Sequence, residues 1–214
     1  AQTQGAKLAE AVSCDQASDV AACLRGKSAK TLLDALPTKT AFIFGKGASW
    51  QPVVDGAVLP GQPLARVKAG SFHKVPVLLG SNADEGTLFV WLGKMTGLTA
   101  AQYKNLVNST FSAVAPLVLQ RYPASAYPSP ALAFADLLGD LAFVCPTRQT
   151  ARALEANGVP AYLYHFTVEP SFTAAAASFL GAYHSAEIPF VFGNPPKLAA
   201  FSAAEKALSK TMTG

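Results

Sequence analysis

The stretch VPVLLGSNADEGTLF, residues 75–89, decides the fold. Val75 to Leu79 is uninterrupted apolar chain. Gly80 follows, and polarity then arrives abruptly with two adjacent acids, Asp84 and Glu85, before a second apolar run starts at Leu88. A short, continuously apolar run bounded by small and polar residues reads as a strand of a parallel sheet covered on both faces. A second run, AYLYHFTV at 161–168, is rich in aromatic and β-branched residues and reads the same way. The long segment between them carries helical patterning, which makes the pair a βαβ arrangement and the chain an α/β protein. A third strand is suggested by TAFIFG at 40–45. Two or three strands make a small sheet with an exposed apolar edge. The expectation is therefore that the remaining strands belong to a larger fold of which this chain is a part.

Helices announce themselves by their caps. Ser28 precedes AKTLLDAL, which stops at Pro37. Thr99 and Gln102 form a capping box ahead of a long, one-sided apolar stretch that Pro116 should end or bend. Pro146 suits a first helical turn, and TRQTARALEA runs from there to the stop signal Asn157-Gly158. Ser202 and Glu205 form a second capping box.

Of the 214 residues, 50% are hydrophobic and only 14% charged, against about 25% charged in a typical soluble domain. Such a chain buries more of itself than most, or lacks a partner that would cover it. No apolar run reaches the roughly 18 residues of a membrane span, and the opening AQTQGAKLAEAVSC has no signal-peptide pattern. The net charge of +4 is scattered rather than clustered, so no nucleic-acid footprint is expected. The three cysteines, Cys14, Cys23 and Cys145, have no zinc spacing. Cys14 and Cys23 read equally as a small disulfide hairpin or as two buried thiols. Cys145 has no evident partner.

Loops beyond the carboxyl ends of parallel strands are where α/β folds place their sites. Glu85 lies in such a loop after the first strand, and His184, in GAYHSAEIPFVFG, follows the second. A carboxylate that holds an imidazole in one tautomer and stabilises the imidazolium is the acid–base half of a nucleophilic triad. On its own, Glu85 reads as a helix-capping acid and His184 as a loop histidine. His73 and His165 read as structural, Asp84 as a turn residue, and Asn108-Ser109-Thr110 as helix surface rather than a glycosylation site. Phe89, Trp91, Phe134 and Phe190 read as core residues.

Several stretches together resemble type-B carboxylesterases, the α/β-hydrolase family that includes the cholinesterases. SCDQASDVAACLRGKSAKTLLDAL resembles the family's cysteine loop and following helix. WQPVVDGAVLPGQPLARVKAGSFHKVPVLLGSNADEGTLF resembles its most recognisable block. DLAFVCPTRQTARAL, PAYLYHF and YHSAEIPFVFG follow in the family's order. The resemblance implies the C-terminal part of an α/β-hydrolase fold: the last strands of the central sheet with their covering helices. Residues 1–214 are then one partial domain. It implies Glu85 as triad acid, His184 as general base, Glu187 as a supporting acid behind them, and a Cys14–Cys23 disulfide, hence a secreted or periplasmic setting. It implies hydrolysis of a small-molecule carboxylic ester without metal or organic cofactor.

The chain also departs from the family pattern. The nucleophile elbow G-x-S-x-G is absent, since Gly47-Ala48-Ser49 runs into Trp50 and Gln51. The glycine-rich oxyanion loop is absent too. The attacking hydroxyl is therefore expected from an N-terminal portion of the same protein outside these residues. The alternative expectation is a cholinesterase-like binding or adhesion module that kept the fold and lost the chemistry.

Overall fold

The computed structural model describes residues 1–37, 51–173, 175–196 and 200–214. The strand suggested at 40–45 lies outside these residues. The chain divides into two compact units, residues 1–62 and 63–214.

Among the described residues, the first unit holds three short helices, α1 (Gln2–Ala11), α2 (Val20–Arg25) and α3 (Ala29–Asp34). Asp19 and Ser28 cap α2 and α3 by accepting from the backbone N–H groups of Ala22 and Thr31. Cys14 and Cys23 are disulfide-bonded, with Cα atoms 5.7 Å apart. The bridge is packed into a small core of Ala9, Val12 and Cys14, with Leu8, Leu24 and Leu32 against it. So few apolar residues make a thin core, and a covalent tie is an effective supplement at this scale. Cys145 is a free, exposed thiol.

The second unit opens with α4 (Pro63–Lys68) and β1 (Val77–Asn82). It continues through α5 (Thr87–Leu92), α6 (Ala100–Phe111), α7 (Ala115–Arg121), α8 (Pro130–Gly139) and α9 (Cys145–Ala156) to β2 (Ala161–Phe166). The Thr99–Gln102 capping box starts α6 as the sequence suggests. The break that follows is not at Pro116 but at Ser112, whose φ of 47° ends the helix; Pro116 instead occupies the first turn of α7. Between α8 and α9 the helix does not stop. Residues Asp140–Val144 form a π-helical turn that joins the two. Pro146 has no N–H to donate to a carbonyl four residues back, and its ring would crowd that carbonyl, so a widened turn just before it lets one helix pass through. The resulting 27-residue helix, Pro130–Ala156, contains an 18-residue window of mean hydropathy 1.3 and by length and composition alone is long and apolar enough to cross a membrane. It contains no unbroken apolar run of that length because charged and polar residues interrupt it. Here it packs against α4, α5 and both strands.

β1 and β2 pair in parallel, from Val77 opposite Ala161 to Asn82 opposite Phe166. The expected cover on both faces is incomplete. Leu78 and its partner Tyr162 are 70% and 62% exposed on one face, and Leu163 is 53% exposed on the other. Beyond β2 come a 3-10 turn (Ala175–Leu180), α10 (Ile188–Val191) and α11 (Ala203–Thr213). Phe166, Phe190 and Phe201 form a buried cluster, with Phe190 and Phe201 stacked at 4.9 Å. Ser209 on α11 donates to the Phe190 carbonyl at 2.8 Å, fastening the last helix to α10.

Glu205 does more than cap. Its carboxylate accepts from Ser202 N–H, from Ser171 N–H and from the Ser171 hydroxyl at 2.6–2.7 Å. Burial pushes its carboxyl up, but these hydrogen bonds outweigh burial and bring it down from 4.5 to about 2. A lowered carboxyl contributes stability that is complete above its unfolded value and is lost as pH falls through the folded one. The wild-type melting temperature is therefore expected to drop between pH 4.5 and pH 2, and a Glu205→Gln variant, measured over the same range by calorimetry, to show a shallower drop.

Gly86 tests the packing of α5 on α8. A Cβ there would lie inside the van der Waals envelope of the Ala135 carbonyl oxygen. Gly86→Ala is expected to cost about 3 kcal/mol through overpacking, read as a lower urea midpoint.

Candidate acid–histidine site

β1 delivers the site. The ladder continues one step past the strand, with Ala83 N–H donating to Phe166 C=O at 2.8 Å. The chain then leaves β2 and meets the segment before His184. Asp84 pairs with Tyr183 in a parallel bridge, and Asp84 N–H donates to Ala182 C=O at 3.1 Å. Glu85 and His184, 99 residues apart in sequence, face each other across this junction. Glu85 Oε2 accepts from His184 Nδ1 at 2.7 Å, and Glu85 Oε1 accepts from Asn82 N–H at 2.8 Å.

The Glu85 side chain is 7% exposed and that of His184 35% exposed. A buried carboxylate needs donors for its oxygens, and here each has one. Because a carboxylate only accepts, Nδ1 carries the proton of this bond, so in the neutral imidazole Nε2 keeps the lone pair. The imidazole is held sideways by two rings, Phe143 at 4.5 Å and Phe89 at 5.2 Å between centroids. Phe143 comes from the π-helical turn, so the detour around Pro146 also supplies a wall of the site. Immediately after His184 the backbone turns through Ser185, whose φ of 74° is a conformation that costs a non-glycine residue about 1 kcal/mol or more.

Glu187, at the start of α10, accepts from Asn82 Nδ2 at 2.5 Å. The same amide donates to Tyr183 C=O at 2.8 Å. Asn82 is 1% exposed and joins all the parts: its N–H binds Glu85, and its amide binds Glu187 and the residue before His184. Sequence reasoning passed over Asn82, although its position as the last residue of β1, three before the acid, is the available signal. Phe89 and Phe143 are a second omission. Phe89 reads as core in sequence but flanks the imidazole. Phe134 and Phe190 are buried, at 1% and 0% exposure, and Trp91 is 45% exposed. His73 and His165 are both exposed. Asn108 is exposed on α6.

A cavity of about 370 Å³ adjoins the same loop, lined by Asp84, Glu85, Tyr127, Asp136, Asp140 and His165 among others. Tyr127 and Tyr122 donate to Asp136 and Asp140 at 2.6 Å. Burial and then these carboxylates push both phenols well above their ordinary range. Among the described residues, no group of three or more His, Cys, Asp or Glu is placed to hold a metal ion.

Residues 1–214 match the sequence model of the Carboxylesterase family. The chain belongs to this family. Within it, the chain is 27% identical over 205 residues to an acetylcholinesterase of Leptinotarsa decemlineata, covering 87% of this chain and 32% of that protein. It is 31% identical over 198 residues to carboxylesterase 5A of Canis lupus familiaris, covering 87% and 33%. It is 34% identical over 149 residues to the crystal protein of Dictyostelium discoideum, covering 67% and 27%. The chain thus spans between 27% and 33% of the length of these carboxylesterase-family relatives.

Asn82→Ala removes a donor to the Glu187 carboxylate and a donor to the Tyr183 carbonyl. Loss of such buried, charge-assisted bonds is expected to cost about 2 kcal/mol. Urea unfolding followed by far-UV circular dichroism should show a lower midpoint with an unchanged slope.

Proposed function

We propose that Glu85 and His184 are the acid and general base of a serine carboxylester hydrolase whose nucleophile lies outside these residues. Membership of the carboxylesterase family supports ester hydrolysis as the general chemistry. The observation that carries the finer reading is the 2.7 Å bond from His184 Nδ1 to Glu85 Oε2, made by a partly exposed imidazole on a buried carboxylate. That arrangement leaves Nε2 available to a hydroxyl.

In the proposed reaction a serine oxygen attacks the ester carbonyl while its proton passes to His184 Nε2. Glu85 stabilises the imidazolium, and the proton then goes to the departing alcohol. Water repeats the sequence on the acyl-enzyme. Glu187 acts at one remove, through Asn82, by holding the Tyr183 carbonyl and so the chain leading into His184. Residues 1–214 are then one part of a single α/β-hydrolase domain. Strands from the N-terminal part of the same protein would cover Leu78, Tyr162 and Leu163, and would bring the nucleophile and oxyanion donors. The Cys14–Cys23 bridge favours an oxidising, extracellular or periplasmic setting.

A second reading, a binding module without turnover, draws on relatives named only as a crystal protein and a cAMP-regulated D2 protein. Retention of both Glu85 and His184 favours the enzyme. In the complete protein, with p-nitrophenyl acetate as substrate, Glu85→Gln is expected to lower kcat by about 10⁴-fold and His184→Ala by about 10⁵-fold or more. Near-normal turnover by either folded variant overturns the assignment.

A further inference from the structure

The two adjacent acids after β1 have separate tasks. Glu85 points at the imidazole. Asp84 turns the other way, and its carboxylate accepts from Ala182 N–H at 2.8 Å, two residues ahead of His184. Asp84 N–H donates to the carbonyl of the same Ala182, so residue 84 grips residue 182 from both sides. Thr87 adds a further tie, its hydroxyl lying 2.7 Å from both the Asp84 and the Leu180 carbonyl oxygens. With Asn82 on the Tyr183 carbonyl, the main chain from Leu180 to Tyr183 is fastened at four points by residues of one short loop, 82–87. His184 is the first residue past these fastenings.

Gly181 shows how closely the carboxylate is applied. Its φ is 58°, and a Cβ at this position would collide with Asp84 Oδ2 and Cγ. The glycine therefore answers two demands at once: a left-handed backbone and room for the Asp84 carboxylate. A turn residue with no further role would leave that space open.

We propose that Asp84 is a positioning residue, whose carboxylate sets the backbone of residues 181–183 and thereby the height and tilt of the His184 imidazole relative to Glu85. This rests on the catalytic reading of Glu85 and His184. Asp84 touches neither the imidazole nor a reacting atom. Its effect is on geometry, where a displacement of about 1 Å costs on the order of 10²-fold in rate. Asparagine keeps an amide oxygen at the accepting position, whereas alanine does not.

The test uses the complete protein with p-nitrophenyl acetate. Asp84→Ala is expected to lower kcat by roughly 10- to 100-fold with KM changed less than about threefold, and Asp84→Asn to recover most of the loss. Gly181→Ala, which displaces the same carboxylate, should reproduce the alanine phenotype and serves if Asp84→Ala does not fold. Ser202→Ala, which removes the cap of α11, should lower the melting temperature and leave kcat in place, separating positioning from general destabilisation. Wild-type kcat in Asp84→Ala, or equal loss in the Ala and Asn variants, overturns the proposal. Failure of the underlying reading is distinguishable, because it appears as retained turnover in the Glu85 and His184 variants.

Discussion

A buried carboxylate is tolerable only where donors reach its oxygens, and the second unit is organised around meeting that condition for Glu85. One donor is local: Asn82 N–H, at the end of the strand that carries the acid. The other is remote: His184 Nδ1, delivered by a segment 99 residues later. The distance between them in sequence is spanned by α5 to α9 and the return strand β2. Glycine at position 86 lets the acid loop lie directly on the α8 backbone, with Ala135 against it. The π-helical turn after α8 brings Phe143 over the imidazole, and α5 brings Phe89. Close packing, hydrogen bonding and ring contacts all act on the same two side chains.

The polar groups around the pair form a connected set rather than isolated contacts. Asn82 couples Glu85, Glu187 and the Tyr183 carbonyl; Asp84 and Thr87 couple the acid loop to residues 180–182. In a low-dielectric surrounding, bonds of this kind polarise one another and lose much of their value when one member is removed. The left-handed Ser185 just beyond His184 is consistent with such a setting, because an unfavourable backbone conformation persists only where its neighbours over-determine it. The result is an imidazole held by Glu85 on one side and flanked by Phe89 and Phe143.

The sheet tells a complementary story. Among the described residues the sheet has two parallel strands, and Leu78, Tyr162 and Leu163 are exposed on it. The chain as a whole is half hydrophobic and poor in charge. It spans about a third of the length of its carboxylesterase-family relatives. The first unit is held differently, by a disulfide in place of a broad apolar face.

Much of this was legible in the residues. Apolar runs with the right lengths marked β1 and β2, and both capping boxes and the caps at Ser28 and Asn157-Gly158 mark real helix ends, because these signals act over three or four residues and need no tertiary partner. The family resemblance, rather than any local pattern, singled out Glu85, His184, Glu187 and the Cys14–Cys23 pair. What the sequence could not carry is whatever depends on contacts between distant segments. The continuation of α8 through a π-turn past Pro146, the pairing of Asp84 with Tyr183, the reach of Asn82 to Glu187, and the flanking of His184 by Phe89 and Phe143 all join residues that no local pattern connects. Asp84 is the sharpest case: beside Gly86 it is an ordinary turn residue by composition, and only the return of the chain at Gly181–Ala182 supplies the N–H for which its carboxylate is placed. Local chemistry determined which groups were present; the tertiary fold decided which of them meet.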